Sequence, residues 1–276
     1  MKSFWKLVDF ELSRFSRIYV VLIGMTVVLQ LMATIIISKL YLDHFDYALH
    51  FEELTIGQFI EQYGKMSLEQ VTSSMWFNIP IVFSIVALIF YCFFIWYRDW
   101  FGKNTFIYRL LMLPTPRINL YFSKAAAIFL MVLGLVAMQV ILLIIQGNIL
   151  KWLVPANLRI DYSVMELIGD SVGNYHLAVI IPYSFTQFLT HYGLGFMAVF
   201  ILFTAILFER SYRLKGIFLG IGYAIVAIAI FLSPYFIAGD FLYPEELFIV
   251  GVVLWALVTG TSIWIGNYLL NKKITV

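Results

Sequence analysis

The sequence predicts an all-α membrane protein. It has six transmembrane helices, an N-terminal amphipathic elbow helix and a further helix in the cytoplasmic loop between the second and third spans. Three observations predict it. Six apolar stretches each approach or exceed the roughly 20 residues that a helix needs to cross ~30 Å of hydrocarbon. Hydrophobic residues make up 62% of the chain and charged residues 12%, which is low against a typical soluble domain. The charges also sort by side. Fourteen basic residues fall on one side: Lys2, Lys6, Arg14 and Arg17; Arg98, Lys103, Arg109, Arg117 and Lys124; Arg210, Arg213 and Lys215; Lys272 and Lys273. The other side has only Lys39, Lys65, Lys151 and Arg159, against twelve acidic residues. Lys and Arg are retained in the cytoplasm. A multi-pass protein of the cell membrane with both termini cytoplasmic is therefore expected, and an even number of spans also puts the termini on one side.

Residues 1–17 read as an amphipathic helix. Phe4, Val8, Leu12 and Phe15 fall on one face at helical spacing, and Lys6, Asp9, Ser13, Ser16 and Arg17 on the other. Trp5 suits the headgroup boundary. Such helices lie in the membrane surface, so we read this segment as an in-plane elbow. The alternative is a plain cytoplasmic extension of the first span, Ile18–Ser38. Lys2 and Lys6 ahead of an apolar run resemble a signal peptide, but the run is too long and no small-x-small cleavage site follows. A retained anchor is expected.

The external segment 39–75 is acidic, and its apolar residues, among them Phe51, Leu54, Phe59 and Ile60, predict short helices packed on the outer surface. The second span, Trp76–Tyr97, carries Cys92, the only cysteine. It excludes an intrachain disulfide and a cysteine-based metal cluster, and reads as a small packing residue.

The loop between the second and third spans holds most internal structure. Asn104 is placed to cap a helix beginning at Thr105. Phe106, Ile107, Leu110, Leu111 and Leu113 give it a broad apolar surface, and Arg109 points away. Pro114 and Pro116 stop it. A loop that only connects needs no such helix, and a capped, proline-stopped helix suits docking into a groove on a partner protein.

The third span, Leu120–Gly147, is long enough to tilt or to project beyond the bilayer. The external segment 148–184 is broken by Pro155 and Pro182, with one short helix expected near Tyr162–Asp170. The fourth span is Phe185–Phe208. In the fifth, Ile217–Ala238, Gly216 and Gly220, with Gly222 nearby, form a small-x-x-x-small face for close helix packing. A tight acidic loop, 239–246, leads to the sixth span, Leu247–Leu270. The 276 residues form one membrane domain with no room for a second globular unit.

Several chemistries lack their residues. His44, His50, His176 and His191 lie in external segments or at an external span end and form no zinc-protease pattern. Glu52-Glu53 and Glu245-Glu246 resemble the paired glutamates of intramembrane prenyl endopeptidases, without the arginine and histidine motifs these need. Gly102-Lys103-Asn104-Thr105 is like the end of a nucleotide-binding loop, but its glycine spacing and lysine–hydroxyl adjacency fail. No enzyme activity is expected, and neither cofactor nor metal. The basic residues serve topology, so no nucleic-acid partner is expected. The span cores lack Asp, Glu, Lys and Arg, which argues against ion coupling, because ion-coupled carriers keep such costly residues for function. Gln30, Asn78, Gln139, Gln146, Gln187, His191 and Asn267 are the polar residues that do occur. Hydrogen bonds between helices explain them; a weakly polar substrate path through a dimer interface is the alternative.

The topology and one stretch of residues resemble the type-2 permease subunits of ABC exporters, and most of all the small bacterial permeases linked to antimicrobial-peptide export or resistance. The stretch is Arg98-Asp99, then Gly102, then Leu110-Leu111-Met112-Leu113-Pro114-Thr115-Pro116-Arg117, then Lys124. The resemblance implies a membrane-spanning subunit that couples ATP hydrolysis by a separate nucleotide-binding ATPase subunit to export of an amphipathic or hydrophobic substrate, such as a peptide, antibiotic or lipid-like molecule. ATP and magnesium are then expected on that partner and not on this chain. It also implies a second permease chain, identical or homologous, in contact with membrane lipid. Thr105–Leu113 becomes a coupling helix. Asp99, Gly102, Phe106, Arg109, Leu110, Leu111, Pro114 and Arg117 become the coupling residues, with Phe106 and Leu110 filling a groove on the ATPase and Arg109 at its rim. The loop 239–246 is too short for the re-entrant helices of larger relatives. The competing reading is a non-transporting immunity, binding or assembly protein, which explains the spans but not the cytoplasmic helix.

Overall fold

A single helix carries the first span and both of its flanks. In the computed structural model, which describes residues 2–101, 106–169, 177, 180–237 and 241–274, helix α1 runs unbroken over Lys2–Phe51, 50 residues. That is roughly 75 Å at 1.5 Å per residue. The elbow expected over residues 1–17 is therefore not a separate helix. Its apolar face is present but packs on protein. Val8 and Phe15 are buried, and the Phe15 ring centroid lies 3.8 Å from that of Tyr91. Continuing the helix also leaves no backbone N–H or C=O unpaired at a turn.

The remaining elements follow in chain order. Two short helices, α2 (Ile56–Tyr63) and α3 (Leu68–Thr72), precede the second span, α4 (Met75–Trp100). A short helix α5 (Phe106–Leu111) leads to the third span, α6 (Ile118–Leu153). At 36 residues α6 extends beyond the expected span, chiefly at its C-terminal end. Helix α7 (Val164–Ile168) is followed by the fourth, fifth and sixth spans, α8 (Phe185–Tyr212), α9 (Leu214–Ile237) and α10 (Pro244–Tyr268). One turn of π-helix, Leu269–Lys273, continues α10. Among the described residues six helices are long and apolar enough to cross a membrane, and the protein is an all-α, multi-pass membrane protein. The loop expected between the fourth and fifth spans shrinks to Arg213, whose φ of 55° turns the chain in the left-handed region.

The chain forms two compact units. One comprises Ser16–Val86 and Val132–Phe188. Here the segments expected to be external build a small cap. Met66–Ser67 pairs in parallel with Arg159–Ile160, and the Tyr41 hydroxyl donates to the Gly64 carbonyl at 2.9 Å. Thr55 caps α2 and Ser163 caps α7. The Ser163 backbone N–H donates to Glu166 at 2.6 Å, which holds that carboxyl below its usual pKa. Met66, Phe77, Leu150, Leu158 and Leu167 fill the core beneath. Deeper in this unit, Gln30 and Gln139 exchange side-chain hydrogen bonds at 3.0 and 3.1 Å. The Gln30 amide also donates to the Phe77 carbonyl at 3.3 Å. These two intramembrane glutamines thus pair between helices.

The other unit comprises Met1–Phe15, Ala87–Met131 and Leu189–Val276. Trp96, Tyr121 and Phe203 are fully buried at its centre. The Tyr121 hydroxyl lies 3.1 Å from both the Phe200 carbonyl and the Thr204 hydroxyl. Thr204 in turn donates to the Ser262 carbonyl at 2.9 Å, so a polar thread ties α6, α8 and α10. Glycines let α9 approach α8. A Cβ at Gly220 would lie 2.6 Å from the Ala205 carbonyl oxygen, and one at Gly216 would strike the Phe208 carbonyl. Gly222 meets nothing within 4 Å. Overpacking a tight contact costs about 1–3 kcal/mol. Gly220→Leu should therefore lower the thermal midpoint of the detergent-purified protein, while Gly222→Leu leaves it unchanged.

Candidate functional site: a buried ionic cluster beneath a short helix between two spans

Five charged side chains from three helices converge in the unit that carries the termini. Glu11 and Arg14 come from α1, Arg98 and Asp99 from the last turn of α4, and Lys124 from the second turn of α6. The Lys124 ammonium donates to Glu11 at 2.7 Å, to Asp99 at 2.5 Å and to the Ile95 carbonyl at 2.9 Å. Its three donors are thereby used. Arg14 donates to the other Asp99 oxygen at 2.7 Å, and Arg98 to the other Glu11 oxygen at 2.6 Å. Each carboxylate is thus held between two cations.

Burial makes the cluster costly. Lys124 and Asp99 are fully buried and Glu11 is 1% exposed. Removing each ion from water costs several kcal/mol, and only well-formed pairing offsets it. The α4 dipole acts both ways, favouring Arg98 in its last turn. Asp99 lies at a C-terminal end, where negative charge is disfavoured. Arg14 and Arg98 retain partial solvent contact, which reduces their share of the cost. Three cations face two carboxylates, so the cluster carries one net positive charge.

Helix α5 sits on this cluster through aromatic contacts. Phe106 stacks on Phe10 with centroids 5.7 Å apart. The Arg14 guanidinium lies 5.0 Å from the Phe10 ring and 5.4 Å from the Phe106 ring. Ile107, Leu110 and Leu111 turn inward and are buried. Tyr108, Arg109, Met112, Leu113 and Pro114 are left on the surface, and Phe101, just past the end of α4, is also exposed. Tyr108 meets Trp100 edge-on at 6.3 Å.

The expected coupling residues therefore part company. Asp99 belongs to the cluster, and its charge-assisted partners are Arg14 and Lys124. Phe106 is half-buried against its own chain. Leu110 and Leu111 are committed to the interior, so Leu110 is not an anchor available to a partner's groove. Arg109 is exposed, as expected, and Pro114, expected to stop the helix, lies exposed after its end. Arg117 donates to the carbonyls of Leu270 and Ile274 at 2.7 and 2.8 Å, which clamps the C-terminal segment. Gly102, the Asn104 cap and Thr105 lie outside the described residues; the described helix ends at Leu111, with Met112 and Leu113 in the following turn.

The stretch 98–124 contained Asp99 and Lys124 but gave no sign that they touch. Glu11 was missed, although a signal exists: it lies three residues from Val8 and four from Phe15, on the buried face. Nearby, the Tyr97 hydroxyl donates to Glu209, and the Arg210 guanidinium lies 4.6 Å from the Tyr97 ring and 5.6 Å from that of Trp100. A separate apolar cavity among α8, α9 and α10 is lined by Leu189, Leu194, Phe231, Tyr235, Phe248 and Trp255. Comparison with known proteins adds nothing to the geometry: no family model, curated protein or solved structure matches the chain.

Proposed function

We propose that this chain is the membrane-spanning permease subunit of an ATP-driven exporter, working with a separate nucleotide-binding ATPase subunit and a second permease chain. The observation that carries the reading is helix α5. It is fixed from behind by Ile107, Leu110 and Leu111, and presents Tyr108 and Arg109 outward, with Met112 exposed in the turn that follows. An exposed apolar face on a short, well-anchored helix between two spans fits a protein partner better than it fits a simple connection. The bias of basic residues supports placing α5 and both termini in the cytoplasm, where ATP is. The apolar cavity supports a hydrophobic or amphipathic substrate, of the class of peptides, antibiotics and lipid-like molecules.

The test is purification of the tagged chain from its native membrane in mild detergent. A nucleotide-binding subunit should come with it and hydrolyse ATP. A chain that purifies without any ATPase would favour the immunity, binding or assembly reading instead. Orientation is checked in intact cells. Glu61→Cys should react with an impermeant maleimide and Arg109→Cys should not, with the buried Cys92 silent. Labelling at residue 109 would reverse the topology.

A further inference from the structure

Helix α5 and the buried cluster are joined at one side chain. Arg14 pairs with Asp99 at 2.7 Å and lies over the rings of both Phe10 and Phe106. A planar guanidinium can pair with a carboxylate and pack on a ring at the same time. Asp99 in turn holds Lys124 at 2.5 Å, on the third span. A continuous path of contacts runs from Phe106 through Arg14 and Asp99 to Lys124. A packed, ion-paired path resists deformation and passes on displacement.

We propose that Arg14 is the positioning residue that locks α5 onto the ionic cluster, so that displacement of α5 is delivered to Lys124 and the third span. The role in coupling rests on the exporter reading; the lock itself does not. A second route between the same elements exists, since Trp100 beside Asp99 meets Tyr108. The lock assigns the main path to Arg14.

A nitroxide placed at Met112→Cys, in a Cys92→Ala background, reports the mobility of the end of α5 in the purified full chain with whatever partners accompany it. Wild-type Arg14 should give an immobilised spectrum. Arg14→Lys keeps a cation for Asp99 but cannot stack, so it should lose the immobilised component while the thermal midpoint stays at the wild-type value. Asp99→Asn should also free the label, and in an Arg14→Ala background it should add nothing. If Arg14→Lys leaves the label immobile, or if the effects of Asp99→Asn and Arg14→Ala simply add, the lock is wrong. Where an ATPase co-purifies, Arg14→Lys should let ATP hydrolysis continue while substrate export falls. A freed label with export unchanged would keep the lock and remove its role in coupling.

Discussion

Lys124→Met is expected to destabilise the protein by about 3–5 kcal/mol, the cost of breaking a buried ion pair from one side. The substitution keeps length and apolar stem but removes the ammonium. Glu11 and Asp99 then remain buried, each with a single arginine, and the Ile95 carbonyl loses its donor. The thermal midpoint in detergent should fall sharply. Adding Glu11→Gln should recover part of the loss, because the buried carboxylate that lost the ammonium is then uncharged, while Arg98 keeps its partial solvent contact. The two substitutions must therefore be non-additive. A Lys124→Met protein within about 1 kcal/mol of wild type, below the range for a broken buried pair, would show that the cluster is not held as described.

The second large effect is expected at the outer face of α5. Truncating an aromatic anchor at a protein interface commonly costs ~2 kcal/mol or more, which is roughly 30-fold in affinity. A Tyr108→Ala, Met112→Ala variant should therefore lose a co-purifying ATPase, while the chain still inserts in the membrane. Arg109→Ala should do less, because a rim charge stays hydrated and acts more on the rate of encounter. Leu110→Ala separates the two roles of the helix. Leu110 is buried, so its truncation should loosen α5 on its own chain.

Periodicity and charge made the membrane part of the fold readable. Each expected span lies within a helix of the structure, the sixth with its π-helical turn included, apart from Ala238, which lies outside the described residues; a 20-residue apolar run has few alternatives in a bilayer. The ends were harder. Nothing local distinguishes an elbow that turns at Arg17 from a helix that continues, since the outcome depends on Phe15 finding Tyr91, 76 positions away in the chain. The parallel pairing of Met66–Ser67 with Arg159–Ile160 is equally nonlocal and leaves no alternation in two residues. In the site, Asp99 and Lys124 stood out as single residues. Their mutual contact, and the recruitment of Glu11, Arg14 and Arg98, came only with the packing of three helices. The inward turn of Leu110 has the same origin: the sequence shows that α5 has an apolar surface but not which part of it the chain itself covers.

The reading that a partner ATPase acts through α5 is tested most directly by crosslinking in native membranes. A photoreactive benzoylphenylalanine placed at Met112, an exposed position at the end of α5, should form its main adduct with a nucleotide-binding subunit. The same probe at Trp152, exposed at the far end of the third span, should form none. Adducts at residue 112 confined to lipid, or to proteins that neither bind nor hydrolyse ATP, would contradict the account.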